Sequence, residues 1–180
     1  MNNWAIRLND KTFVPYINRD RIQAAITQMT EGINRDLAGK NPVFIVILNG
    51  AFLFAADLLR GMTMDCEIIF VKLASYSGTV STGTIKEMIG LNTSVKDRNV
   101  VIVEDIVDTG NTIAHLTEQL NAKSPASVRI ATLLFKPKAY LKNISIDYTG
   151  FNIPNDFIVG YGLDYKGLGR NLPDIYVLQT

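Results

Sequence analysis

The fold is decided by one stretch of sequence, Val100-Val101-Ile102-Val103-Glu104-Asp105-Ile106-Val107-Asp108-Thr109-Gly110-Asn111-Thr112. Its first four residues are apolar and β-branched, which is typical of a strand that is covered on both faces. Two adjacent carboxylates follow, a third comes three residues later, and small polar residues then precede a helical pattern. This order predicts a buried strand, an acidic loop and a helix start, an arrangement at which α/β proteins bind ligands.

The second half of this stretch carries the chemistry. Small residues at a helix start leave backbone N–H groups exposed, and these groups attract a phosphate together with the helix dipole. The carboxylates just upstream would repel a phosphate unless they bind sugar hydroxyls or a divalent cation. The stretch therefore predicts a site for a Mg²⁺-chelated phosphosugar. For a shorter motif of this type the alternative is a capped helix behind an acidic turn, but the full stretch favours the ligand site.

Hydrophobic periodicity predicts the elements on either side of this stretch. Helical spacing predicts one helix at about Asp20–Leu37, a second at about Ala51–Arg60 and a third after Thr112. Strands are predicted at Val43–Leu48, Cys66–Leu73, Ile85–Ile89, Asn99–Val103, Val128–Phe135, Phe157–Val159 and Ile175–Leu178. Strands that alternate with helices indicate an α/β fold with a mainly parallel sheet. The length of 180 residues fits a single domain over residues 1–180.

The composition of the chain argues against several kinds of partner and site. The formal net charge of +1 offers no broad basic surface, so we expect no nucleic-acid partner. A single cysteine, Cys66, and a single histidine, His115, exclude an internal disulfide and the usual zinc sites. The most apolar segment, Val43–Ala56, is too short for a membrane span and is interrupted by Asn49-Gly50. We therefore expect a cytoplasmic protein with no membrane partner.

Five segments in chain order resemble the type I phosphoribosyltransferases, and their hypoxanthine-guanine branch in particular, from about Val43 to Leu172. They are Leu48-Asn49-Gly50-Ala51, Ser75-Tyr76 with Ser81-Thr82-Gly83, Val100–Thr112, Leu133-Leu134-Phe135-Lys136, and Phe157–Tyr165 with Arg170. The resemblance implies a mainly parallel twisted sheet flanked by helices, with a small hood formed by the terminal segments. It also implies transfer of the phosphoribosyl group from 5-phosphoribosyl-1-pyrophosphate (PRPP) to a purine, with Mg²⁺ as the cofactor.

The resemblance assigns the contacts with the phosphosugar to the acidic stretch. It implies that Glu104 and Asp105 hold the two ribose hydroxyls of PRPP. The 5′-phosphate would bind to the four residues Thr109, Gly110, Asn111 and Thr112. Some relatives have lysine at the position of Asn111, so this chain lacks one cation there. The exposed backbone N–H groups of the helix start remain, and we expect them to be sufficient for the phosphate.

The contacts with the purine are implied in the same way. Asp108 would lie near purine nitrogen 7, where a carboxylate can move a proton, although it could instead only cap the following helix. Lys136 would donate to oxygen 6, which favours 6-oxopurines over adenine because the 6-amino group of adenine cannot accept from an ammonium. Phe157 would stack on the base, and the backbone of Ile158 would bond to its edge. Asp164 is also assigned to the purine-binding residues and is the candidate Mg²⁺ ligand.

The pyrophosphate contacts include a departure from the family. The resemblance assigns pyrophosphate binding to Asn49 and Gly50, in a loop that has a non-proline cis peptide in the family, and to Arg170. Family members usually have lysine or arginine where this chain has Asn49, so we expect weaker pyrophosphate binding. Ser75 and Tyr76 match the start of a mobile loop that would close over the reacting centre and exclude water.

The resemblance implies PRPP and 6-oxopurine bases as partners, with hypoxanthine and guanine as the acceptors, and a homodimer or homotetramer as the assembly. Two alternatives stay open from the sequence. One is an enzyme that prefers xanthine. The other is a non-catalytic regulator of the same fold that senses PRPP. The presence of Asp108, Lys136 and Asp164 together favours an enzyme.

Overall fold

The computed structural model describes residues 4–75, 85–89 and 93–179. This part of the chain contains three helices, α1 (Arg19–Leu37), α2 (Phe52–Arg60) and α3 (Asn111–Asn121). The strands are β1 (Ile6–Leu8), β2 (Lys11–Ile17), β3 (Val43–Leu48), β4 (Glu67–Ser75), β5 (Ile85–Ile89), β6 (Asn99–Val107), β7 (Ser127–Phe135), β8 (Tyr148–Asn152), β9 (Ile158–Val159) and β10 (Ile175–Leu178).

The larger sheet has the strand order β5-β4-β3-β6-β7-β8. Five of these strands are parallel and β5 is antiparallel to β4. Strands β3 and β6 lie at the centre, where helices cover both faces of the sheet, and this explains their uninterrupted apolar sequence. Alternate residues point to opposite faces, so Phe44 and Val46 pack in the cluster with α1 and α2, whereas Val43 and Ile45 pack in the cluster with α3.

A second, smaller sheet has the strand order β1-β2-β10-β9 and is antiparallel throughout. It is built from residues 6–17 and 158–178 and has its own small core around Phe13, Val159 and Tyr176. This sheet is the hood that the resemblance implied from the terminal segments. The expected α/β fold, a mainly parallel sheet flanked by helices, is confirmed.

Several predicted elements differ from the structure. Strand β6 runs four residues beyond the predicted end at Val103, because it stays paired with β7 as far as Val107 and Phe135. The prediction that Glu104 and Asp105 lie in a loop was therefore wrong, since both belong to the strand. Strands β1, β2 and β8 were not predicted from the sequence. Strand β2 contains Pro15 and β8 contains Gly150, two residues that weaken a strand pattern.

The helices are set by local sequence. The Asn18 side chain caps α1 by accepting a hydrogen bond of 2.9 Å from the backbone N–H of Arg21. Its buried face includes Ile22, Ile26 and Ile33, as the helical spacing predicted. Neither α2 nor α3 has a side-chain cap, and each begins directly after a segment at the carboxyl end of a central strand. Within the described ranges, no helix has both the length and the apolar character needed to cross a bilayer.

Candidate active site

Two carboxylates occupy the carboxyl end of β6. Glu104 is only 9% exposed, and its Oε2 atom is buried without a hydrogen-bond partner among the described residues. Burial, together with the neighbouring charge of Asp105, raises the pKa of Glu104 well above its usual value. Burial also raises the pKa of Asp105 to about 6, despite hydrogen bonds from backbone N–H groups. The Oε2 atom of Glu104 is thus available to accept a hydrogen bond from a ligand hydroxyl or to bind a metal ion.

The start of α3 forms a small recess next to these carboxylates. Residues Glu104 to Ile113, apart from Asp105, line a volume of about 90 Å³. Gly110 is the N-cap of α3 and has a φ of +80°, a left-handed conformation that glycine adopts without strain. A Cβ atom on Gly110 would lie 2.3 Å from Cε2 of Tyr140, so the space behind this residue is closed. Thr109, Gly110, Asn111 and Thr112 are therefore gathered at an uncapped helix N-terminus, which suits an anion.

The ends of β6 and β7 bring an acid and a base together. Lys136 follows β7, and its backbone N–H donates a hydrogen bond of 3.0 Å to the carbonyl of Val107 at the end of β6. The Lys136 side chain is almost fully buried, and its Nζ lies 3.1 Å from Oδ2 of Asp108. The Asp108 side chain is half-exposed. The pair thus presents an ammonium donor and a carboxylate acceptor side by side at the edge of the recess.

The loop after β3 packs closely on this strand end. The peptide between Leu48 and Asn49 is cis, as the resemblance implied. A Cβ atom on Gly50 would lie 1.8 Å from Oδ2 of Asp105, so the backbone of the loop lies directly against that carboxylate. A Cβ atom on Gly162 would lie 2.0 Å from the carbonyl oxygen of Gly50. Three segments that are distant in sequence therefore meet at Gly50.

The third of these segments carries an ion pair. Arg170 and Asp164 form a salt bridge, and each has a further hydrogen bond that fixes it. Arg170 donates to the carbonyl of Gly162 at 2.7 Å, and Oδ2 of Asp164 accepts from the N–H of Gly167 at 2.7 Å. The charges of Arg170 and Asp164 act in opposite directions on the pKa of Asp105, so both lie near its carboxylate. This cluster and the carboxylates of β6 form one site.

Phe157 and Ile158 lie in the hood. Phe157 is 45% exposed, and its ring centroid is 5.8 Å from that of Tyr165 and 6.2 Å from that of Phe13. Ile158 is buried and pairs with Val177 of β10. The hood therefore offers one half-exposed aromatic ring, held by other aromatic rings, that could stack on a planar ligand.

Two of the predicted site features lie at or beyond the limits of the described chain. Ser75 is the last residue of β4 and pairs with Ile85 of β5. Tyr76 and Ser81-Thr82-Gly83 of the predicted mobile loop fall outside the described residues. For a metal ion, the described ranges contain no group of three or more His, Cys, Asp or Glu side chains in ligating positions. Mg²⁺ does not require a cluster of this size, because it typically takes one or two protein carboxylates and completes its shell with substrate phosphates and water.

Two contacts of the site were not anticipated from the sequence. They are the approach of Gly162 to Gly50 and the packing of Tyr140 against Gly110. The glycines on either side of Tyr161 could have indicated a close backbone approach, because glycine is favoured where two backbones meet. Tyr140 lies in an irregular segment after β7 that carries no comparable signal.

Three structural features characterise this site. A buried parallel strand ends in carboxylates, an anion recess follows at a helix N-terminus, and a cis-peptide loop closes over them. The sequence profile of the phosphoribosyl transferase domain matches residues 17–166. The chain therefore belongs to the phosphoribosyltransferase family of enzymes, as the five segments implied.

Two curated relatives show the degree of sequence similarity. The chain is 43% identical over 164 residues to the hypoxanthine-guanine phosphoribosyltransferase of Streptococcus pneumoniae, covering 91% of each protein. It is 40% identical to the enzyme of the same name from Lactococcus lactis, covering 91% of this chain and 89% of that protein.

Solved structures of phosphoribosyltransferases have the same fold as this chain. A crystal structure of a hypoxanthine phosphoribosyltransferase from Staphylococcus aureus superposes with a TM-score of 0.87 at 37% identity, covering 92% of this chain and 90% of the other. A mutant hypoxanthine phosphoribosyltransferase from Trypanosoma cruzi, in a ternary substrates complex, superposes with a TM-score of 0.85 at 34% identity, covering 92% and 94% of the chains.

Proposed function

We propose that this chain transfers the 5-phosphoribosyl group of PRPP to hypoxanthine and guanine, giving IMP or GMP and pyrophosphate. The names of the curated relatives support the two acceptors. The observation that carries the proposal is the buried ammonium of Lys136, 3.1 Å from the half-exposed carboxylate of Asp108 at the edge of the anion recess. In a 6-oxopurine, oxygen 6 and nitrogen 7 are bonded to adjacent ring carbons, and Lys136 and Asp108 offer them a donor and a base side by side.

The sugar and its phosphate would bind at the end of β6 and the start of α3. The backbone N–H groups of Thr109 to Thr112 bind the 5′-phosphate in this proposal, assisted by the dipole of α3. Glu104 and Asp105 accept hydrogen bonds from the ribose hydroxyls. The unpartnered Oε2 atom of Glu104 supports this assignment, because a buried carboxylate oxygen is stable there only when a donor reaches it.

The base would lie between Lys136 and the hood. Lys136 donates to oxygen 6, and Asp108 holds or moves a proton at nitrogen 7 as a purine ring nitrogen attacks the anomeric carbon. Phe157 stacks on the base and the backbone of Ile158 bonds to its edge. The exposure of the Phe157 ring, 45%, supports the stacking role because a residue that served only the core would be buried. Ser75 and Tyr76 exclude water during the reaction.

The pyrophosphate side would be formed by Asp164, Arg170 and the loop at Asn49 and Gly50. Asp164 would hold Mg²⁺, which would neutralise the charge on the departing pyrophosphate. Arg170 donates to the pyrophosphate, since its guanidinium is suited to two phosphate oxygens at once. Asn49 offers an amide where a cation is usual in the family, so pyrophosphate binds more weakly than it would to a lysine or an arginine.

We also propose that the chain is a single domain, that it acts in the cytoplasm and that it forms a homodimer or homotetramer. Support for assembly comes from three exposed apolar side chains, Phe52, Ile68 and Phe70, which line one groove between α2 and β4. Contiguous exposed apolar surface of this kind is typical of a subunit interface. Sedimentation velocity tests this assembly, and a monomer at micromolar concentration would contradict it.

The test of the function is the initial rate of pyrophosphate release with PRPP and Mg²⁺ in four parallel reactions, each with one base. Turnover with hypoxanthine and guanine but not with adenine is the expected result. A higher kcat/KM with xanthine than with either of them would make the chain a xanthine enzyme. Binding of PRPP without turnover of any base would indicate a non-catalytic regulator. The first substitution to test would then be at Asn49, where family members usually have lysine or arginine.

A further inference from the structure

A partly buried polar cluster joins α2 to the hood, away from the groups that would contact substrate. Its centre is Asp57 of α2, whose Oδ2 accepts hydrogen bonds of 2.5 Å from the hydroxyl of Tyr161 and 2.7 Å from Nε2 of Gln23. Arg60 pairs with the other carboxylate oxygen of Asp57. Tyr161 is only 4% exposed. The cluster therefore holds together α1, α2 and the segment that precedes Asp164.

Tyr161 stands at an unusual point of the backbone. Its φ is +48°, and the glycines on either side have φ values of +97° and +101°. A tyrosine rarely adopts this left-handed conformation, and it persists only where surrounding contacts require it. Two backbone hydrogen bonds, each of 2.9 Å, fix the main chain of this turn. The N–H of Tyr161 donates to the carbonyl of Leu172, and the N–H of Gly162 donates to the carbonyl of Arg170. The hydroxyl of Tyr161 anchors the same turn through its side chain.

Helix α2 begins at Phe52, two residues after Gly50, so a movement of this helix would also move the loop assigned to pyrophosphate. The helix and its loop touch the turn at two points. One is the contact of the Gly50 carbonyl with Gly162, and the other is the hydrogen bond between Asp57 and Tyr161. Gly162 also accepts the hydrogen bond that holds Arg170. A shift of the turn relative to α2 would therefore move Arg170 and its partner Asp164 relative to the loop.

We infer that the hydrogen bond from Tyr161 to Asp57 positions Asp164 and Arg170 against the loop at Gly50 and so sets the affinity for PRPP and pyrophosphate. This inference rests on the phosphoribosyl transfer proposed above. Tyr161 and Asp57 are positioning residues in it, since neither touches substrate. Their effect is expected on the diphosphate side of the site and not on the purine side, which is formed by Lys136 and Phe157.

The ionisation of the cluster is consistent with this role. Burial opposes ionisation of Asp57, but hydrogen bonds from Tyr161, Gln23 and Arg60 outweigh it and lower the pKa of Asp57. Burial and the adjacent carboxylate raise the pKa of Tyr161 above its usual value. Tyr161 therefore keeps its proton and donates it to a charged acceptor, which makes this hydrogen bond stronger than one between neutral groups.

The test is Tyr161→Phe, which removes only the hydroxyl and leaves Asp57 paired with Gln23 and Arg60. We expect KM for PRPP to rise about tenfold, since a hydrogen bond to a charged group is typically worth about a factor of ten or more in an equilibrium. KM for hypoxanthine should stay within about twofold of wild type. Asp57→Asn keeps an acceptor oxygen for Tyr161 and should give a KM for PRPP nearer to wild type.

The chain offers a matched control in Tyr148→Phe. The Tyr148 hydroxyl also donates to an aspartate, Asp36, at 3.0 Å and lies beside an arginine, Arg129, but Tyr148 belongs to β8, an edge strand of the larger sheet. Its loss should leave both KM values unchanged. The inference fails if Tyr161→Phe leaves KM for PRPP unchanged or raises both KM values alike. Calorimetric titration of PRPP with Mg²⁺ into each variant tests it separately, even if the wild type turns over no base.

Discussion

Glu104 and Asp105 are two neighbouring carboxylic acids whose ionisation is opposed by burial in the fold. Both are buried at a strand end, and burial raises both pKa values. A carboxylate with a raised pKa destabilises the folded state at high pH, because the unfolded chain ionises it more easily. The site therefore holds two groups that lower the stability of the folded protein when they are ionised.

This cost can be measured with Asp105→Asn. The pKa of Asp105 rises from an ordinary 3.8 to about 6, so the penalty is absent below pH 3.8, grows between these values and is complete above pH 6. Asp105→Asn should therefore raise the free energy of unfolding by roughly 1–3 kcal/mol at pH 7.5. The gain should shrink as the pH falls towards 4. Urea unfolding at several pH values measures it, and a gain independent of pH would contradict the raised pKa.

Lys136 provides the sharpest test of base selection. Lys136→Gln replaces an ammonium, which can only donate, with an amide that can also accept. We expect kcat/KM for hypoxanthine to fall roughly 10²-fold, because a charge-assisted hydrogen bond to oxygen 6 is lost. The ratio of kcat/KM for hypoxanthine to that for adenine should fall with it. Lys138→Gln, an exposed lysine two residues further on, is the control and should leave this ratio unchanged.

The loop between β3 and α2 has no room for a side chain at Gly50. A Cβ atom at Gly50 would overlap Oδ2 of Asp105 at 1.8 Å, so the loop or the carboxylate would have to move. Gly50→Ala should reduce kcat/KM for PRPP by 10² or more, roughly the cost of a 1 Å misplacement in a catalytic site. Steady-state kinetics at varied PRPP measures this loss.

Gly32→Ala is the matched control for that substitution. Gly32 lies inside α1, and the nearest atoms to an added Cβ are 3.7 Å away in the Tyr148 ring. Alanine is favoured over glycine in a helix, so the variant should gain about 0.5–1 kcal/mol of stability and keep its activity. A Gly50→Ala variant as active as Gly32→Ala would show that the close contact with Asp105 is not needed.

Elements with strong periodicity were predictable, and those fixed by pairing were not. Strands β3, β5 and β10 have the predicted bounds, and α1 begins one residue before its predicted start. The extension of β6 to Val107 depends on β7, which lies more than twenty residues further along the chain. The hood strands β1 and β2 are held by β10 at the other end of the sequence. No local pattern contains that information.

Across the whole molecule, residues that are adjacent in the chain could be grouped from the sequence, and residues that only the fold brings together could not. The carboxylates of β6 and the start of α3 are contiguous, so their grouping was predictable, and the roles assigned to them stay predictions. The pair of Asp108 and Lys136 joins residues 28 positions apart, and that of Asp57 and Tyr161 joins residues 104 apart. These contacts follow from the order of strands in the sheet and from the hood folding over its edge. The resemblance supplied the residues, but only the fold supplied the distances.

The central claim is that the end of β6 and the start of α3 carry out phosphoribosyl transfer with Asp108 as the proton carrier. The most direct measurement is the rate of IMP formation from hypoxanthine and PRPP with Mg²⁺, by wild type and Asp108→Asn. We expect equimolar IMP and pyrophosphate from the wild type, and a kcat roughly 10²–10⁴-fold lower in the variant with KM for PRPP little changed. No IMP from a wild type that binds PRPP, or a variant within a few-fold of wild type, would contradict the claim.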